Sequence, residues 1–330
     1  MFWFLTIGSA VCFIFILCLL PETLRALVGN GSIQQRPLLR PLFPILGRSR
    51  RTATRDPTAP HKTPPFPNPF LLFQYPDLCL VLAFTGVVYA VNYSITATIS
   101  SSFQKLYPYL SETDTGLVYL STGGGMIVGS TMTGKLLDWD FKRIKRDFLK
   151  EKEARGETVE GDVSKDPSFP MEKARLRTMP LHLIIFIAST IGWGWSLTSG
   201  TSIAVPLVLQ IIREPPLARP PRRRPSCFLT NLLTLCTVGW TSMAILNTSM
   251  TLGLDLLPKQ SSSVTACVNL IRCSLAAILV SVIDKATNRL GFGITYTILS
   301  TICVLLLPLM YLEMRVGERF RRKRAAKNVQ

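Results

Sequence analysis

Between Gly116 and Arg146 the chain reads GLVYLSTGGGMIVGSTMTGKLLDWDFKRIKR, and this stretch limits what the rest can fold into. About 20 apolar and small residues run to Gly134, enough at 1.5 Å per residue to cross the roughly 30 Å hydrocarbon core of a bilayer. An acid, Asp138, follows, and then the cations Lys142, Arg143, Lys145 and Arg146. Cations clustered beside an apolar span mark its cytosolic end. Gly123, Gly124, Gly125 and Gly129 leave bare backbone, and Gly125-xxx-Gly129 has the small-xxx-small spacing that lets a second helix approach closely. The stretch is expected to be a membrane helix that packs through Gly125 and Gly129.

Composition supports an all-α membrane protein. Of 330 residues, 48% are hydrophobic and 17% charged, and the net charge is +17. The cations sit in blocks beside apolar runs rather than on one polar face. They therefore read as topology signals and contacts for anionic lipid, and no nucleic-acid partner is expected. The eight cysteines form no CxxC pair and read as small buried hydrophobes. The two histidines, His61 and His182, stand in unrelated contexts. No metal site, cofactor or catalytic residue is expected, because no span carries clustered His, paired Asp or a nucleophile beside a base; the chain does not read as an enzyme.

Taken in order, the apolar runs give about seven transmembrane helices. Residues 1–20 form the first; a secretory leader is the alternative, but the run lacks a basic start and a small-residue cleavage site. Residues 21–76, rich in Pro and Arg, read as a basic, largely disordered cytosolic linker. Its Asn30-Gly31-Ser32 sequon should then stay unmodified. Spans follow at 78–100 and 116–137, a charged loop at 139–180, and a span at 181–197 with Trp193 and Trp195 near the outer interface. Glu172, Lys173, Arg175 and Arg177 in that loop read as a solvated face. An apolar run at 203–212 is then cut off by REPPLARPPRRRP. Five arginines in hydrocarbon would cost upward of about 10 kcal/mol, so 213–238 reads as an insertion, such as a translated intron. As written, the chain is expected to use about 226–250 as its span. The remaining spans are 264–283 and 292–314, and 315–330 is a basic tail. Basic loops at 21–76, 139–180 and 315–330 all fall on the cytosolic side.

Polar residues recur at helical spacing. Thr85, Tyr89, Asn92 and Thr96 share one face, as do Trp240, Ala244, Asn247 and Thr251, and Thr265, Asn269 and Arg272. A polar stripe in lipid must face protein or water. Helix–helix hydrogen bonding and a substrate path are both open readings. Arg272, about 16 Å into its helix, calls for a cavity, a carboxylate partner or a snorkelling route to the cytosol.

Four stretches carry a resemblance. Gly134-x-x-x-Asp138 followed by Lys142-Arg143 resembles the signature loop of the major facilitator superfamily in its second copy, between the eighth and ninth helices. Phe141 stands where that pattern has glycine, and Trp139 where it usually has a cation. LPETLRALVGNGSI at 20–33, FPMEKARLRTMP at 169–180 and DLLPKQSSSVTACVNLIRC at 255–273 are similar to fungal drug:proton antiporters of the quinidine- and polyamine-resistance type. The resemblance implies the C-terminal half of that fold. It places 1–20 as helix six and 77–314 as a six-helix transporter half interrupted at 213–238, so that the spans are helices six to twelve. It also implies a proton-coupled exporter of drug-like molecules or polyamines in the plasma membrane, truncated and inactive alone. Tyr89, Asn92, Thr96, Asn247, Thr251, Asn269 and Arg272 would then line the substrate cavity, and Gly134, Asp138, Lys142 and Arg143 would form a gating loop. A seven-span receptor and a partner-dependent half-transporter are the alternatives.

Overall fold

The computed structural model describes residues 2–20, 69–106, 111–156, 168–199, 225–257 and 260–327. It divides into two units, Met1–Pro65 and Phe66–Gln330. The described part of the first is one helix, α1 (Phe2–Leu19), 18 uncharged residues about 27 Å long.

The second unit is all helix among its described residues. A 3-10 turn, Pro69–Gln74, leads into α2 (Pro76–Leu106). Then come α3 (Glu112–Ala154), the short α4 (Met171–Leu176) and α5 (Met179–Ser199). They are followed by α6 (Pro225–Leu256), α7 (Ser261–Leu290), α8 (Phe292–Leu305) and α9 (Leu307–Lys327). Four described stretches are long and apolar enough to cross a membrane: Pro76–Lys105, Met171–Thr198, Ser261–Leu290 and Phe292–Gly317. The protein is an integral, multi-pass membrane protein.

Helix α3 is diluted by Gly, Ser and Thr, and its packing explains why. Its buried positions, Thr115, Val118, Thr122, Gly125, Gly129, Thr133, Leu137 and Asp140, recur every three or four residues, the period of one helix face. That face lies on α6 with backbone against backbone. A Cβ on Gly125 would come within 2.1 Å of the Cys236 carbonyl oxygen, and one on Gly129 within 2.5 Å of that of Trp240. In the other direction, a Cβ on Gly239 would meet the Thr122 carbonyl at 2.3 Å. Lipid tails give helices no hydrophobic reason to associate, so close backbone approach supplies the dispersion contacts that hold the pair.

Several expectations are corrected. The loop expected to open at 139 does not open there, because α3 runs on to Ala154. Residues 135–155 contain no Gly or Pro and many Lys, Arg, Glu and Leu, all good helix formers. An exposed Arg155–Glu151 pair at 2.5 Å supports the last turn, and Gly156 at φ 76° ends it. The helix starts on a capping box, with Ser111 Oγ accepting from the Asp114 N–H at 3.2 Å and Asp114 Oδ2 from the Ser111 N–H at 3.1 Å. Trp193 is fully buried rather than interfacial, stacked on Phe103 at 6.0 Å. Trp195 alone of the pair is exposed, donating to Thr297 Oγ1 at 3.2 Å. Beyond these corrections, the basic tail, for which the sequence set no secondary structure, is helical through Lys327.

The arginine-rich start of the expected insertion, 213–224, and most of the linker 21–76 lie outside the described residues. The end of that insertion belongs to α6: Leu235 and Val238 are buried, and Asn231 Oδ1 accepts from Ser196 Oγ at 2.7 Å.

Candidate functional site

The stripe on α2 faces protein. Thr85, Tyr89 and Asn92 are buried and Thr96 is half-buried. Its hydroxyls are largely consumed by their own helix: Thr85 donates to the Val81 carbonyl at 2.7 Å and Thr96 to that of Asn92 at 2.9 Å. This back-bonding is the usual way a helix satisfies Thr in an apolar setting. What remains available is Tyr89, Asn92 and their neighbour across the α2–α7 seam.

That neighbour is Arg272. Gly86 sits one turn before Tyr89, and a Cβ there would come within 2.7 Å of Ile271 Cγ2, so the small residue lets α7 lie close. The Arg272 guanidinium carbon rests 4.9 Å from the centre of the Tyr89 ring, a cation–π contact of about 0.5–2 kcal/mol. The Tyr89 hydroxyl is 3.8 Å from Met243 Sδ on α6, and Tyr93 meets the ring edge-on at 5.6 Å. Arg272 Nε and Asn92 Oδ1 are both buried and have no hydrogen-bond partner among the described residues. Arg272 makes no ion pair there either. A charge near mid-membrane costs about 2.5–3.5 kcal/mol on insertion scales, which the ring face offsets only in part.

The other sequence candidates form a second group. Asn247 Nδ2 donates to Ser130 Oγ on α3 at 3.3 Å, and the Thr251 hydroxyl donates to the Asn247 carbonyl at 2.8 Å. These contacts bind α6 to α3 and to itself. Asn269, one turn before Arg272 on α7, is exposed.

The expected gating residues stand clear of the bundle. Gly134, Asp138, Lys142 and Arg143 are all exposed, and Asp138 has no ion-pair partner among the described residues. The Arg143 guanidinium lies 5.6 Å from the Trp139 ring centre. Beside them, Met132, Thr133, Leu136, Trp139, His182 and Trp240 line an open groove of about 440 Å³.

The tight ionic contacts lie elsewhere. Glu172 and Arg175, expected on a solvated face, are turned inward by α4. Arg175 Nε meets Asp255 Oδ2 at 2.7 Å, with the side chains 12% and 26% exposed. The same guanidinium covers Phe141 of α3 at 4.5 Å, so one arginine ties α4 to the end of α6 and to α3. Glu172, its side chain 2% exposed, meets Arg321 of α9 at 3.4 Å, and Arg321 also donates to the Phe169 carbonyl. Asp140, two residues beyond the expected Asp138, is buried, and its Oδ2 has no partner among the described residues. Helical spacing carried the signal for Asp140, which continues the Thr133–Leu137 face. No local signal marked Arg321 as the partner of Glu172, since the two are far apart in sequence.

The chain is similar to known transporters along nearly its whole length. It is 30% identical to Citrate exporter 1 of Aspergillus niger over 98% of this chain and 57% of that protein. To Multidrug transporter AQR1 of Candida glabrata it is 30% identical over 98% of this chain and 50% of the relative. The MFS-type transporter phiL of a fungal species is 30% identical over 92% of this chain and 68% of its own length. The chain thus spans about half the length of most curated relatives it matches. No family model and no solved structure matches it.

Proposed function

The chain belongs to the major facilitator superfamily, and from that premise we propose that it is the C-terminal portion of a proton-coupled exporter of small organic molecules in the plasma membrane. It would work together with the helices that the family places ahead of it. The observation that carries this reading is the placement of polar side chains at mid-span. Tyr89 of α2 and Arg272 of the largely exposed helix α7 meet inside the bundle, with Asn92 buried one turn along α2. Facilitator transporters bind their cargo near the midplane, between two halves that rock. Asn269, Thr96, Asn247 and Thr251 would extend that polar surface.

The inner ends of the helices supply the second part. Gly134, Asp138, Lys142 and Arg143 are exposed, while Arg175–Asp255 ties α4 to α6 and Glu172–Arg321 ties α4 to α9. In this reading Asp138 and its cations pair only in another transport state, which gives that state a differential contact.

Efflux by the full-length polypeptide tests the proposal. Cells producing it should accumulate less of a fluorescent drug or of an exported organic acid, and a protonophore should abolish the difference. Accumulation equal to that of empty cells for every cargo, with the protein present at the cell surface, would sink the reading.

A further inference from the structure

The charge of the mid-span cluster narrows the class of cargo, granted the transport reading above. The segments 78–104, 115–134, 179–199, 226–254, 261–283 and 292–312 contain one Asp, Glu, Lys or Arg between them, and it is Arg272. The acids that border these segments are Asp77 in the first turn of α2, Asp114 at the start of α3, Asp255 at the close of α6, Asp284 six residues before the end of α7, and Glu313, buried seven residues into α9. These segments therefore carry a net charge of +1, and Arg272 makes no ion pair among the described residues.

We infer that Arg272 is the anchor for a carboxylate-bearing cargo. Its guanidinium carbon lies 4.9 Å from the centre of the Tyr89 ring, a contact that gives the cation a π face but no carboxylate or carbonyl oxygen for its N–H donors. Those donors form the rigid fork that matches a carboxylate with two parallel hydrogen bonds. Nε, buried and without a partner among the described residues, is one tooth of that fork. Asn269, exposed one turn away on the same helix, adds amide donors for a second carboxylate oxygen. Asn92 Oδ1, buried and unpartnered among the described residues, accepts from a hydroxyl of the cargo. A polyamine or cationic drug meets the opposite: one fixed cation, no acid, and a ring face already occupied by a guanidinium. The cluster selects organic acids over organic cations.

The test is direct binding. The full-length polypeptide in nanodiscs is titrated with citrate and, separately, with spermidine, and flux of both is followed in proteoliposomes. Citrate should bind and spermidine should not. Arg272→Gln should weaken citrate binding at least about tenfold, and Arg272→Lys, which keeps the charge but loses the fork, by a smaller factor. Asn269→Ala is exposed and does not threaten folding; it should weaken binding severalfold. Spermidine binding more tightly than citrate, or citrate affinity untouched by all three substitutions, overturns the inference. Spermidine flux without citrate binding overturns it and leaves the transport reading in place. Citrate binding without flux of either compound supports the anchor and refutes transport.

Discussion

One end of the helix bundle and the helix midpoints treat charge in opposite ways. At that end, Glu172 and Arg321 are largely excluded from solvent and paired, and Arg175 and Asp255 are partly excluded and paired. At the midpoint, Arg272 has only an aromatic face for company. Charges held by complementary partners tie helices together, and removing one partner leaves the other stranded in a poor solvent. A charge held without a counter-ion does nothing for the fold that an apolar residue of equal volume would not do better. Paired charge here is a structural fastening, and the unpaired charge of Arg272 is the one proposed above to meet a ligand.

Substitutions that separate stability from binding test that division. The largest effect belongs to Glu172→Ala, which leaves Arg321 without its counter-ion and with only the Phe169 carbonyl to accept from it. Apparent unfolding free energy in detergent should fall by about 3–5 kcal/mol, read from chemical or thermal unfolding. A loss below about 1 kcal/mol would mean that the α4–α9 fastening is ornamental. Next comes Arg175→Ala, in a pair that solvent still reaches, at about 1–3 kcal/mol. Combining it with Asp255→Ala should show a coupling of about 1–2 kcal/mol, because the second change removes nothing the first had not already broken. Arg272→Met should go the other way. Unfolding should be unchanged or about 1 kcal/mol more costly, since an uncompensated cation is replaced by a shorter, uncharged thioether. A clear destabilisation by Arg272→Met would make that arginine a fastening too, and the comparison would collapse.

What the sequence disclosed follows the same division. Periodicity found α2, α5, α7 and the close approach at Gly125 and Gly129, because bilayer thickness and helix pitch act locally. It also put Tyr89 and Arg272 on the polar faces of their two helices, and these side chains touch. The long run of α3 past Trp139 was hidden by charge: a dense cluster of Lys and Arg reads as loop, although those residues are good helix formers once Gly and Pro are absent. Trp193 was hidden by a statistical habit of indoles at interfaces, which Phe103 overrides by stacking on it. Glu172–Arg321 was beyond reach for a plainer reason. The partners are 149 residues apart, and no spacing rule joins a short helix to the far end of the chain.

Asp138 is the finest test, because its expected effect on stability is near zero. Asp138 and Asp140 lie two residues apart on α3, about 200° around the helix axis at 3.6 residues per turn. One is therefore on the surface and the other against the bundle. Asp138→Asn should leave the unfolding free energy within about 0.5 kcal/mol, as for a surface change that breaks no contact. Transport should nevertheless slow, with insertion and cargo affinity intact, because the contact it removes is made only in the state this conformation lacks. Asp140→Asn supplies the contrast, altering stability first. If the two substitutions slow transport equally, or if Asp138→Asn leaves the rate unchanged, the exposed acid has no state-dependent partner, and the gating role passes to the buried one or to neither.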